Sequence, residues 1–217
     1  EMEESDWSSD VCSSDLIERL VGDTDVVLSQ RLRLGRTQDT PRIERLYFLE
    51  LLRSRQDDLP ATGQGPTTAM ALSGNLHWVW RDLDSVVLPT RGLTVALQTG
   101  AGQAGQVGGQ QGGFGRFYGR VTGYLPLGQR WYGQARLEAG QIVRRDAVIV
   151  PDALGFRAGG DDSVRGYAYR SLAPLDAGGG TISGESLLTA SVELARPILD
   201  NLPSVWGAVF VDAGRAV

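Results

Sequence analysis

Residues 67–81 read TTAMALSGNLHWVWR. Met70, Leu72, Leu76, Trp78 and Trp80 fall on one side of an extended chain, and Ala69, Ser73, Asn75, His77 and Arg81 on the other. Side chains alternate across a strand, so this is a strand with one apolar and one polar face. Two tryptophans close the apolar face at one end. That placement suits the aromatic girdle of a membrane strand, and equally a soluble sandwich strand that ends in aromatics.

The same period of two recurs on both sides. In 25–36, Val26, Leu28, Leu32 and Leu34 oppose Ser29, Arg31 and Arg33. Residues 42–55 hold Ile43, Tyr47 and Phe48, which favour a strand over the helix that Leu49, Leu51 and Leu52 would also allow. Leu93, Val95 and Leu97 alternate with Thr94, Ala96 and Gln98. Arg116, Tyr118, Arg120 and Thr122 oppose Phe117, Val121 and Leu125. After the turn Pro126-Leu127-Gly128, Trp131, Ala135, Leu137 and Ala139 oppose Gln134, Arg136 and Glu138. Leu188, Ala190, Val192 and Leu194 oppose Thr189, Ser191 and Glu193, and Val209 and Val211 oppose Phe210 and Asp212. Residues 100–113 are almost wholly Gly, Gln and Ala and read as a long flexible loop. They lack the lysine of a phosphate loop. About nine strands result, with no helical alternation between them, so the chain is all-β. Short turns are expected at one rim and long loops at the other.

Charge and composition narrow the function. The net charge is −5, and all 21 basic residues are arginine, scattered rather than in a block, which argues against nucleic acid. No apolar run reaches the ~18 residues of a membrane helix, a test that alternating barrel strands escape. The polar faces carry Arg31, Arg33, Arg116, Arg120, Arg136, Glu138 and Glu193, as a watery lumen would, while small residues on the apolar faces argue against a dense soluble core. Residues 6–16, DWSSDVCSSDL, repeat Ser-Ser-Asp without a basic or apolar region. They resemble translated adapter sequence, so residues 1–16 are expected to be non-native. The single Cys12 leaves no internal disulfide framework.

One segment breaks the alternation. Residues 155–174, GFRAGGDDSVRGYAYRSLAP, are too rich in glycine and charge for a strand. Their glycines permit positive φ and close packing. Arg165 at the tip can hold a carboxylate by two parallel hydrogen bonds. The strands around the segment are expected to form a wall, with the loop folded back among them. Phe210 and Asp212 share a face by the period of two.

Val164-Arg165-Gly166-Tyr167 followed by Phe210-Val211-Asp212-Ala213-Gly214 resembles the outer-membrane assembly and translocation barrels of the BamA/TamA superfamily. Residues 156–174 and 206–214 look most like the TamA branch, and Pro89-Thr90-Arg91-Gly92 fits it too. The resemblance runs from about residue 25 to the end. It implies an antiparallel transmembrane β-barrel, here partial: about nine of 16 strands within 17–217, with a re-entrant loop at 147–170. It implies that Val164, Arg165, Gly166 and Tyr167 enter the lumen and that Arg165 meets Asp212 beside Phe210 and Gly214. Glu138, Glu193 and Arg136 are possible supporting lumen charges. The periplasmic POTRA modules and the opening and closing strands are expected outside this stretch.

The resemblance further implies a factor in the Gram-negative outer membrane that aids insertion or secretion of proteins such as autotransporters, without cofactor, metal or covalent chemistry. Its partners would be the lipid bilayer, unfolded outer-membrane or secreted clients, and an inner-membrane-anchored periplasmic protein, with no nucleic acid. A two-partner secretion transporter or the general barrel insertase are sister readings. A barrel lipase would need Ser and His within hydrogen-bond reach. His77 is the single histidine, and Ser73 lies ~13 Å away along the strand. A passive porin would not need Arg165 anchored.

Overall fold

The computed structural model describes residues 7–21, 25–58, 67–128, 130–145, 148–175, 181–199 and 202–217. They form one sheet of nine antiparallel strands in chain order. The strands are β1 (Trp7–Val21), β2 (Asp25–Asp39), β3 (Ile43–Asp58), β4 (Thr67–Leu83), β5 (Gly92–Gln106), β6 (Gln111–Pro126), β7 (Tyr132–Arg144), β8 (Ser186–Leu199) and β9 (Leu202–Ala216). A single 3-10 turn, Asp152–Leu154, is the one helical element among the described residues. The strands have 13 to 17 residues, more than the ~10 that a tilted strand needs to cross hydrocarbon. Much of the segment set aside as adapter-like lies in β1, paired with β2 from Trp7↔Asp39 to Val21↔Asp25.

Alternation and register together give the sheet two opposite faces. Leu34, Leu49, Leu72, Phe117, Leu137 and Val209 stand exposed on one; Ser29, Glu50, Ser73, Thr122, Glu138 and Thr189 are buried on the other. The adjacent residues Leu137 and Glu138 show the inversion most plainly, at 52% and 5% exposure. A soluble sandwich buries its apolar side. Here the apolar side faces outward as a continuous belt, a surface made for lipid rather than water.

The segment at 145–185 explains why the polar face is buried. Val148 and Leu154 pack with Leu52, Ala71, Ala104 and Phe114. Phe156, Ala158 and Val164 pack with Ile142, Leu187 and Ala216. One loop thus touches strands from β3 to β9, and the sheet curls round it. Its two ends are tied by Arg144 Nη2 to Glu185 at 2.5 Å, while Arg144 Nη1 donates to the Val148 carbonyl at 2.8 Å. The folded-in part extends past the expected 147–170, because Phe156 forms a bridge with Gly184.

Two sequence expectations need correction. Residues 100–113 are not a flexible loop: they end β5 and begin β6, joined across a turn at 107–110. Their small residues leave room for the loop behind them. A Cβ at Gly112 would stand 2.6 Å from Val148 Cγ2, so the missing side chains mark a packing surface that periodicity cannot register. The rims are also less segregated than expected. The longer link at 84–91 shares a rim with the turns at 40–42 and 127–131, and the short turn at 107–110 shares the other with the long loop.

Candidate functional site: the Arg165 clamp

Two successive cross-strand pairs of β8 and β9 build the floor of the site. Glu193 lies opposite Phe210, and Ser191 opposite Asp212. With a period of two on each strand, all four side chains point to the loop side. The next pair, Thr189 and Gly214, continues the row. On the other side of β8, Arg136 of β7 lies opposite Ser191.

The loop lowers Arg165 onto this floor. Gly159 takes φ +105°, where an added Cβ would also stand 2.5 Å from the Ala168 carbonyl oxygen. That turn is closed by Gly159 N donating to Ser163 Oγ at 2.7 Å and Gly160 N to the Tyr167 carbonyl at 3.1 Å. Val164, 3% exposed, fills the apolar cluster beneath the loop. Anchored on either side, Arg165 has one direction left, toward β9.

There its Nε donates to Asp212 Oδ2 at 2.7 Å and its Nη2 to Asp212 Oδ1 at 2.9 Å, the two-pronged geometry of a strong ion pair. The main-chain N of Arg165 donates to Asp212 Oδ2 at 2.9 Å. Nη1 bonds Glu193, and Nη2 also reaches Ser191 Oγ at 3.2 Å. The guanidinium carbon stands 3.5 Å from the centre of the Phe210 ring, within cation–π range. Asp212 is 2% exposed and Arg165 21%. The Asp212 hydrogen bonds first, and those of Glu193 after them, hold Arg165 above the ordinary guanidinium range against the opposing effect of burial. The Arg165 guanidinium therefore keeps its charge in the clamp.

The structure brings Val164, Arg165, Phe210, Asp212 and Glu193 together. Arg136 joins them indirectly: its Nη2 donates to the Ser163 carbonyl at 3.1 Å and so supports the tip from β7. Glu138 stands further along, between Arg120 and Arg136 at 3.5 and 3.6 Å. Gly166 supplies a turn at φ +89°. Tyr167 remains 55% exposed, and its carbonyl accepts from Gly160 N within the loop. Ser191 was legible as a polar residue in phase with Glu193, yet only the register showed it beneath Arg165. A second clip had no sequence signal. Asp152 Oδ1 accepts from Ser183 N at 2.7 Å and from Arg157 Nη2 at 3.3 Å, and ties the loop's descending and returning arms.

The remaining lumen holds a cavity of about 380 Å³, where Arg31, Arg33, Glu50, His77 and Arg116 stand beside the apolar Leu46, Phe48 and Leu154. Glu50 accepts from Arg33 Nε at 2.5 Å. Ser73 Oγ accepts from Asn75 Nδ2 at 2.9 Å, so its close polar neighbour is an amide rather than the imidazole that a serine hydrolase requires. Among the described residues no group of three His, Cys, Asp or Glu is arranged to hold a metal.

Comparison with known proteins agrees with this architecture. The crystal structure of BamA from Haemophilus ducreyi lacking POTRA domains 1-3 superposes with a TM-score of 0.65 at 16% identity, over 96% of this chain and 49% of that one. The chain therefore spans about half the length of that truncated chain, and the likeness establishes the fold. A family model of the Omp85 superfamily domain matches residues 27–217. By that match the chain belongs to the Omp85 superfamily, as a partial antiparallel transmembrane β-barrel with a loop clamped inside it.

Proposed function

We propose that the protein is an outer-membrane assembly or translocation factor of the TamA type, which helps outer-membrane or secreted proteins such as autotransporters to enter or cross that membrane. The observation that carries this reading is the docking of Arg165 on Asp212, Glu193 and Phe210. A passive pore gains nothing from a loop fixed in its lumen by a shielded ion pair. A protein that must hold the lumen shut, yet keep the barrel wall responsive to a client, does. Removing Arg165 leaves the buried Asp212 carboxylate without its counter-charge, so the contact strongly favours the docked loop.

In this reading the protein does no covalent chemistry. Its outer belt meets the outer-membrane bilayer, and its clients are unfolded chains. An inner-membrane-anchored periplasmic protein would couple to it from below. A two-partner secretion transporter and a general barrel insertase would use the same clamp and differ in client range. The test is complementation by the full-length protein carrying Arg165→Ala. The variant is expected to reach the membrane as a folded barrel and to lose most surface display of an autotransporter client. Wild-type display at wild-type abundance would overturn the reading. Loss confined to one dedicated secreted partner would favour the two-partner branch, and loss of all barrels the general insertase.

A further inference from the structure

The link at 84–91 joins β4 to β5 and presents Val86, Val87 and Leu88 at 75%, 86% and 77% exposure. Turn tips are normally built from Gly, Asn, Asp, Ser and Pro. Three consecutive branched apolar side chains standing clear of the protein are unlike the rest of the described loops.

The base of this link is tightly made. The Asp84 carboxylate accepts from Thr90 Oγ1 at 2.5 Å and from the main-chain N of Thr90 and Arg91, both at 3.0 Å. Asp84 N donates to the Arg91 carbonyl at 3.1 Å, and Leu88 N to Ser85 Oγ at 3.3 Å. The polar atoms are thus spent inside the loop, and the apolar ones are left at its tip.

What lies below the tip identifies what covers it. The outward residues at this end of β4 are Trp78 and Trp80, paired with Leu97 and Val95 of β5, and Leu93 follows on the same face. On the same rim Trp131 packs under Arg196 at 5.0 Å, an aromatic-cation pair of the kind that marks a membrane interface. The lipid-facing belt therefore runs from mid-strand through the tryptophans to Leu93, where the exposed Asp82 opposite it marks the belt's edge, and Val86–Leu88 stand just beyond on the same rim.

We propose that the 84–91 link is an interfacial anchor whose Val86, Val87 and Leu88 insert into the headgroup boundary of the phospholipid leaflet at this rim. The proposal rests on the outer face of the sheet being embedded in lipid. Its test separates the two. In a Cys12→Ser background, full-length protein carrying Val87→Cys, Leu137→Cys or Gln110→Cys is labelled with an environment-sensitive fluorophore. It is then reconstituted in phosphatidylethanolamine/phosphatidylglycerol vesicles containing lipids spin-labelled near the headgroup or at mid-chain. Leu137, in mid-belt, reports embedding, and Gln110, exposed in the turn of the other rim, is the aqueous control. The label at Val87 is expected to be quenched severalfold more by the headgroup quencher than the label at Gln110, and to shift to the blue. If Leu137 is quenched by mid-chain lipid but Val87 behaves like Gln110, the anchor is refuted and the barrel stands. A blue shift at Val87 without lipid quenching would mean that protein covers the tip, which also refutes the anchor. Absence of quenching at Leu137 would overturn the embedding itself.

Discussion

Replacing Arg165 by alanine perturbs the site most directly. The Asp212 carboxylate, 2% exposed, would lose both guanidinium bonds, at 2.7 and 2.9 Å, and would keep the main-chain bond at 2.9 Å and its hydrogen bond with the Ser191 hydroxyl. Removing one member of a fully buried pair costs about 3–5 kcal/mol, whereas an exposed pair is worth about 0–1. This pair lies between those limits, because Arg165 and Glu193 retain 21% and 27% exposure. Loss of the Phe210 contact adds about 1 kcal/mol. A total near 2–4 kcal/mol corresponds to a shift of roughly 30- to 700-fold in the balance between docked and undocked loop. Hydrogen exchange read by mass spectrometry on peptides covering 156–172 measures that balance. The reciprocal Ala158–Leu172 bonds at 2.9 Å and Arg170 N to the Gly159 carbonyl at 3.1 Å report docking. Exchange there should quicken by about that factor while β6 and β7 stay protected. Arg165→Lys should fall between, since an ammonium keeps the charge but not the fork. In the double variant with Asp212→Ala, the effects should be clearly less than additive. Unchanged protection in Arg165→Ala would show that the apolar contacts of Val164 and Phe156 hold the loop alone, and the reasoning would fail.

Gly159→Ala tests the turn above the clamp. A side chain at φ +105° with its Cβ 2.5 Å from a carbonyl oxygen should cost about 1–3 kcal/mol, seen as faster exchange in the same peptides with the strands unaffected. Leu137→Arg places a charge on the outward belt and should destabilise the barrel by about 2–4 kcal/mol if that position lies near mid-membrane; urea titration in vesicles, followed by heat-modifiable gel mobility, measures it. At the 84–91 link, the Thr90 hydroxyl first, then the Arg91 and Thr90 amides, hold Asp84 down at about 2. A depressed carboxyl contributes order above its unfolded value of about 3.9 and loses it as pH falls through the folded one. A label at Val87→Cys should therefore gain mobility between about pH 4 and pH 2, and Asp84→Asn should remove that step.

The residue pattern settled which side of each strand is greasy, because a strand's period of two is local and each residue carries its own face. It also determined that Phe210 and Asp212 share a face, and that the segment around Arg165 could not continue the sheet. It misread 100–113, since glycine and alanine carry no phase, and the value of their small size appears only when Val148 lies against Gly112. Tertiary structure alone decided the partners. Register set Glu193 beside Phe210 and Ser191 beside Asp212, and the fold of a loop joining β7 to β8 chose which row of wall residues Arg165 would meet. Those are pairings between distant parts of the chain, fixed by hydrogen-bond ladders and loop closure together, and no local pattern encodes them.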